Sequence, residues 1–206
     1  MKITQVTAAT QSVYLNLMQG YEAEFSAITR KLPDENGLFT LDTHLSAALL
    51  ERTPTNFPND LSDADAYVNE CAEDCIEGCV VGFLAWQESV PIGFMTIALS
   101  PGQQFEVCDF YIVPGMRYKK LGSRLAAQVW SRFPGTWVVK QIEGAEYATQ
   151  FWRKCIGEFL RGADVGKIEA SSEEREGFEQ DQFVDPYWGL VTRQTFAVSD
   201  VIRSGS

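Results

Sequence analysis

The sequence predicts an α/β chain: a mixed, mostly antiparallel central sheet with helices on both faces. Three observations lead there. Cys79–Gln87, Ile92–Leu99 and the strand beginning at Phe105 are rich in β-branched and aromatic residues and follow one another across short turn-like stretches. Meander strands of this kind pair antiparallel. The third strand runs through a turn into a helical pattern and then a further apolar segment, Trp137–Ile142. A strand–helix–strand crossover pairs its strands in parallel, with right-handed connection. A second helical pattern and a last strand close the chain.

In order, Lys2–Thr7 alternates and reads as a first strand. Thr10 or Ser12 is placed to cap the helix that follows. Its apolar stripe is Val13, Leu15, Leu17, Met18, Tyr21, Phe25 and Ile28, running to about Arg30. Pro33 and Asp34-Glu35-Asn36-Gly37 end it in a loop. Thr43–Arg52 suits a short helix with Leu45, Leu49 and Leu50 inward. Residues 53–78 form an acidic insertion, a loop and then a helical segment at Ala64–Cys75. The next two strands are joined by a four-residue loop, Glu88-Ser89-Val90-Pro91. Ser100–Gln103 turns into the central strand. Phe133-Pro134-Gly135 stops the helix that follows. Ala145–Phe159 then places Ala148, Phe151, Trp152, Cys155 and Ile156 at helical spacing. Glu169–Asp185 is acidic and without period, a loop or flap, and Trp188–Val198 is the final strand. The expected organisation is a single domain over residues 1–202, with residues 203–206 as a tail.

Composition narrows the function. The 206 residues are 45% hydrophobic, enough for a full core, and the formal net charge is -11. A general nucleic-acid binder needs a broad basic surface, so that class is excluded. No apolar run is long enough to span a membrane, and MKITQVTAATQ does not read as a signal peptide. Five cysteines without an export signal point to reduced thiols and a cytoplasmic setting. Cys71, Cys75 and Cys79 recur every fourth residue, but the spacing is not that of a zinc site and His44 is the only histidine. No metal is expected.

The chemistry concentrates in Phe105–Trp130, FEVCDFYIVPGMRYKKLGSRLAAQVW. Arg117, Lys119, Lys120 and Arg124 fall within eight positions at the junction of strand and helix. A helix N-terminus offers unpaired N–H groups and the positive end of the helix dipole. With added cations it suits a phosphate. A solvated basic face on a plain crossover accounts for the same residues.

These residues also carry a resemblance. The chain resembles the GNAT (Gcn5-related) N-acetyltransferase family. The family signature Gln/Arg-x-x-Gly-x-Gly/Ala is matched by Arg117-Tyr118-Lys119-Lys120-Leu121-Gly122. CDFYIVP is similar to the family's fourth strand, and AEYATQFWRKCI to its Asn-x-x-Ala-x-x-Phe-Tyr helix. The Phe-Pro-Gly-x-Trp and Phe-Trp pairing resembles a bacterial subgroup. There are three departures. Lys120 stands at the first motif glycine, Ala145 at the helix asparagine, and Trp152 at the tyrosine that often serves as general acid.

The resemblance implies acetyl-CoA as co-substrate and direct acetyl transfer to a primary amine of a small molecule or peptide. The backbone of Tyr111, Ile112 and Val113 would hold the pantetheine arm. The N–H groups of Tyr118, Lys119, Lys120, Leu121, Gly122 and Ser123 would take the pyrophosphate, with Arg117, Lys119 and Lys120 neutralising its charge. Asp109 is the preferred base over Glu106, which strand alternation puts on the opposite face. Tyr147, with Tyr111 as alternate, would replace the missing acid. Trp86, Trp137, Trp152 and Trp188 are candidate walls of an acceptor pocket or core aromatics. The acidic stretches suggest a cationic acceptor, and a homodimer is left open. The alternative is a GNAT-like module that binds acyl-CoA as a sensor without catalysis.

Overall fold

The computed structural model describes residues 1–41, 45, 79–163 and 177–199. Strand β1 (Lys2–Gln5) leads into a 3-10 turn, Ala8–Thr10, and helix α1 (Gln11–Thr29). The hairpin β2 (Cys79–Gln87) and β3 (Val90–Ser100) is followed by β4 (Gln104–Ile112), helix α2 (Leu121–Trp130) and β5 (Gly135–Ile142). Helix α3 (Glu146–Ala163) precedes a second hairpin, β6 (Glu179–Asp185) and β7 (Gly189–Val198). The seven strands form one sheet in the order β1-β2-β3-β4-β5-β7-β6. All neighbouring pairs are antiparallel except β4–β5.

Each face of the sheet carries its own core. On one side α2 and α3 cover Phe83, Met95, Ile97, Val107, Trp137 and Val139. The indole N–H of Trp137 donates to the Phe133 carbonyl at 2.9 Å, so this large ring is buried without an orphaned donor. On the other side α1 covers Leu84, Phe94 and Tyr111 with Tyr14 and Met18. Of the α1 stripe read from the sequence, Met18 is buried and Val13, Leu15, Leu17 and Tyr21 pack partly buried against this core, while the buried Tyr14 and Glu22 lie outside that stripe. Neither Thr10 nor Ser12 gives α1 a side-chain cap. Thr10 stands at the cap position, but its hydroxyl turns back and accepts from the Thr7 N–H at 2.9 Å.

Three sequence expectations change. The first hairpin turns on two residues, Glu88-Ser89, with Glu88 left-handed at φ 56°; Pro91 lies inside β3, opposite Trp86 at a register shift. Residues 179–185, expected as loop, are the edge strand β6. That extra strand reverses the chain. With one strand after α3 the crossover rule gives a parallel partner for β5, but with β6 interposed β7 returns antiparallel. The third change is a bulge in β4, described below. The short helix at 43–52, the acidic insertion at 53–78, the remainder of the acidic loop and the tail lie outside the described residues, apart from the buried Leu45. Cys79, grouped in the sequence with Cys71 and Cys75, stands in β2. Among the described residues no helix is long and apolar enough to cross a membrane, and no acidic, Cys or His cluster could hold a metal ion.

Candidate active site

The site begins where β4 and β5 part. Their pairing runs from Gln104–Thr136 to Val107–Val139 and stops. Each strand continues on its outer partner, β4 on β3 as far as Ile112 and β5 on β7 as far as Ile142. The two strand ends are thus held from outside, with a gap between them. Val113 spends its N–H on the Ile92 carbonyl at 2.9 Å. Backbone groups alternate sides along a strand, so Tyr111 also points toward β3, while Phe110 and Ile112 point their N–H groups into the gap. Of the three residues expected to hold an extended ligand, Ile112 alone presents its N–H; Phe110 is the second donor, absent from the sequence reading.

The parting has a local cause. Ile97 pairs with Val107 but Thr96 pairs with Asp109, so Cys108 is an extra residue. A bulge of this kind bends the strand and disturbs the alternation of its side chains. Before it, Phe105 and Val107 face the α2/α3 core; after it, Tyr111 faces α1. Glu106 and Asp109 therefore lie on the same face, the α1 side, and not on opposite faces as simple alternation requires. Asp109 is buried. Its carboxylate accepts from the Thr96 hydroxyl at 2.6 Å, and the same hydroxyl accepts from the Asp109 N–H at 2.9 Å. Glu106 pairs with Lys140 at 2.7 Å across the base of the gap. The half-buried Cys108 thiol feels both carboxylates. Burial first, then Asp109 and Glu106, push its pKa up to about 12, so it stays neutral.

Helix α1 spans the gap from above. Tyr21, Phe25 and Ile28 lie on one helix face. Tyr21 meets Tyr111 of β4, Phe25 meets Trp188 at the β6–β7 turn, and Ile28 lies against Gly144 at the end of β5. Burial and then the Asp109 carboxylate push the Tyr21 phenol well above its ordinary pKa, with smaller contributions from Glu22, Tyr14 and Tyr147. Tyr147, at the start of α3, is exposed and within electrostatic reach of Tyr21. Asp109 and Tyr147 both lie within electrostatic reach of a third group, Tyr21, which nothing local in the sequence separates from the core stripe. Tyr111, the alternate acid, has a buried ring. Burial raises its phenol first, Glu24 adds to this, and Arg117 above the ring at 5.6 Å opposes it.

The turn into α2 forms the other end. Arg117 donates through its Nε to the Ile112 carbonyl at 2.8 Å and through one terminal nitrogen to both Glu24 oxygens, at 2.9 and 2.7 Å. Its guanidinium is therefore committed to tying the turn to α1. Tyr118 and Lys120 adopt left-handed backbone, φ 63° and 57°, on either side of Lys119. Alternation of this kind turns successive N–H groups into an anion-accepting concavity. No side chain caps α2, and Tyr118, Lys119 and Lys120 are all exposed. Arg124 is exposed one turn on. Leu121 is buried in the core, and the Ser123 hydroxyl reaches the buried Cys155 thiol, whose pKa burial pushes up to about 12. Gly122 lets the first turn of α2 close on two rings: a Cβ there would stand 3.2 Å from Phe151 and 3.3 Å from Phe110. Lys120 keeps a conformation natural to glycine, at a cost of about 1 kcal/mol. Lys120→Gly is expected to raise unfolding stability by up to about 1 kcal/mol in a urea titration. An unchanged or lowered midpoint would show that the lysine side chain offsets the strain.

No protein-family model and no curated protein matches the sequence. Solved structures do. A protein from Klebsiella pneumoniae subsp. pneumoniae, assigned as an acyl-CoA N-acyltransferase, superposes with a TM-score of 0.53 at 15% identity, over 96% of this chain and 97% of that one. The chain has the GNAT acyl-CoA N-acyltransferase fold. Further matches include the PaiA N-acetyltransferase of Thermoplasma acidophilum in complex with coenzyme A, at TM-score 0.49, 11% identity and 93% and 96% coverage. A GNAT-family protein of Bacteroides thetaiotaomicron aligns at TM-score 0.46, 13% identity and 98% and 90% coverage. Set in the GNAT fold, the departures take physical form. Lys120 reproduces a glycine conformation. Ala145 is buried and brings no side-chain hydrogen bond. Trp152 is buried against Phe110, Phe151 and Trp130. Of the four tryptophans considered as pocket walls, Trp137 and Trp152 are core and Trp86 donates to the Thr4 hydroxyl at 2.8 Å. Trp188 alone stands exposed beside the gap.

Proposed function

We propose that the chain is an acetyl-CoA-dependent N-acetyltransferase that passes an acetyl group directly to a primary amine of a small molecule or peptide. The observation that carries this reading is the β4–β5 gap, with two backbone N–H donors on its rim and a carboxylate on one face. The donor set fits the co-substrate. Phe110 and Ile112 suit an extended amide-bearing arm, and the Tyr118–Ser123 turn with the Lys119 and Lys120 ammonium groups suits a pyrophosphate. The thioester supplies an activated acyl group.

The chain's residues then have distinct tasks. An amine is mostly protonated near neutral pH and must lose its proton before it attacks. Asp109 takes that proton, directly or through a water. A β4 N–H facing the gap stabilises the oxygen that gains charge. As the nitrogen–carbon bond forms and the carbon–sulfur bond breaks, Tyr147 supplies the proton for the departing thiolate. Tyr21, held protonated by burial and by Asp109, does not act as a base.

One observation favours a second reading, an acyl-CoA-binding module without catalysis. Trp152, where the resemblance places a phenol, is packed in the core and offers no acid. Thermal shift with acetyl-CoA and thiol release over an amine panel separate the two. The expected result is stabilisation together with amine-dependent thiol release. Stabilisation without turnover of any amine supports the binding module, and the absence of stabilisation overturns both.

A further inference from the structure

The gap between β4 and β5 has a second wall, on β5. Gln141 stands just past Val139, the last β5 residue paired with β4. Its outer partner on β7 is Thr192, whose hydroxyl already accepts from the Gln182 amide at 3.1 Å. Strand alternation puts the Gln141 side chain on the face of Trp137 and Val139, the α2/α3 side. Phe110 turns its ring to the same side from β4, against Phe151 and Trp152. Gln141 and Phe110 therefore flank the gap on the face opposite Asp109. Gln141 is 5% exposed, and neither its amide nitrogen nor its amide oxygen has a hydrogen-bond partner. Buried polar groups are costly to leave unpaired, and native chains satisfy nearly all of them. The other orphans among the described residues differ. Gln194 spends its nitrogen on the Thr149 carbonyl and on Gln180, and it lies opposite Val139, where β5 is still paired on both sides. The Trp130 indole is ringed by Trp137, Trp152, Phe159 and Phe196, within the core. Among the described residues Gln141 alone leaves a whole carboxamide unpaired, and it does so where the strands have parted.

We infer that the Gln141 carboxamide is a binding group for the amide-bearing arm of acetyl-CoA, holding it from the β5 side while Phe110 and Ile112 donate from β4. The chemistry is complementary. A secondary amide carries its C=O and its N–H on opposite edges. The N–H donors of Phe110 and Ile112 take the carbonyl edge, which leaves the arm's N–H edge to β5. Gln141 supplies an acceptor oxygen for that edge and an NH2 donor for a neighbouring carbonyl or hydroxyl. This rests on the co-substrate reading and adds to it a side chain that tells an amide arm from an alkyl chain, since a site built to hydrogen-bond rejects a ligand that cannot.

The test is calorimetric titration of the wild-type protein and of Gln141→Met, which keeps the length of the side chain and removes both polar groups. The ligands are acetyl-CoA and its nucleotide half, 3′-phosphoadenosine 5′-diphosphate, and urea unfolding of the free proteins runs beside them. Gln141→Met is expected to raise the acetyl-CoA Kd about 10-fold, the size of one or two net hydrogen bonds, and to leave the Kd of the nucleotide half unchanged. Its unfolding midpoint is expected at or above wild type, because an unpaired carboxamide gives way to a side chain with nothing to satisfy. Gln141→Leu repeats both measurements and guards against a misfit of the longer side chain. An acetyl-CoA Kd unchanged in both variants overturns the inference, as does an equal loss for the nucleotide half. So does a midpoint that falls in both variants, the mark of a carboxamide that serves the fold. If the wild-type protein binds neither acetyl-CoA nor the nucleotide half, the underlying reading fails.

Discussion

Asp109→Asn is expected to lower kcat for amine acetylation by about 100-fold or more, within the range general-base catalysis contributes, while leaving the fold intact. The reason for choosing asparagine is local. The side chain keeps its shape, and its carbonyl oxygen can still accept from the Thr96 hydroxyl, which now makes its 2.6 Å contact with the carboxylate. What is lost is the charge and the capacity to take a proton. A second readout reports the loss of the charge itself. Asp109 is the second cause, after burial, of the raised Tyr21 phenol. Removing the negative charge must therefore bring the Tyr21 pKa down, though not to its ordinary value, because burial remains. Ultraviolet titration of the tyrosines, with Tyr21→Phe as reference, reads this directly. Turnover by Asp109→Asn at the wild-type rate would sink the assignment. A normal unfolding midpoint beside a collapsed kcat supports it.

Gly93→Ala is expected to destabilise the fold by about 3 kcal/mol, at the upper end of overpacking effects. A Cβ on Gly93 would run into the Tyr111 carbonyl oxygen and lie 2.7 Å from the Cδ1 of Ile112. The first obstacle is backbone, which cannot rotate away. β3 and β4 must separate, and the part of β4 that moves carries Tyr111 and Ile112 at the rim of the gap. The same substitution is thus expected to weaken acetyl-CoA binding. Urea unfolding and calorimetric titration of the folded fraction measure the two effects separately. An alanine variant of wild-type stability would mean that the strand pair adjusts at no cost.

Much of the scaffold was legible because it rests on local patterns. The alternating runs of β2, β3 and β5 and the apolar stripes of α1 and α2 are where periodicity places them, to within a residue or two at most ends. The strand β6 was not legible. Glu179-Gln180-Asp181-Gln182 looks like a loop because an edge strand has little to bury, and acidic residues on such an edge discourage pairing with another chain. The site was legible by residue type and opaque in geometry. Asp109 and the basic turn stand out in the sequence. Nothing local announces the extra residue at Cys108. Nor does it announce that Arg117 would find Glu24, which lies 93 positions away. Tyr21 was hidden for a different reason: one helix face packs the core and roofs the gap with the same row of rings, so its period carries no sign of the second task.

The bulge at Cys108 also fixes what β4 tolerates. A strand is a two-phase object, and an extra residue shifts its phase by half a period. Residues up to Val107 and residues from Asp109 onward therefore obey opposite parity rules for which side of the sheet they serve. Shortening β4 by the single residue Cys108 would restore one parity throughout. In the shortened strand Asp109 follows Val107 directly and stays opposite Thr96 on the α1 face, with Phe110 still against Phe151 and Trp152. Substitution or loss of Cys108 leaves the two faces of the strand end in place, whereas deletion of a paired residue after it exchanges the faces of the residues beyond.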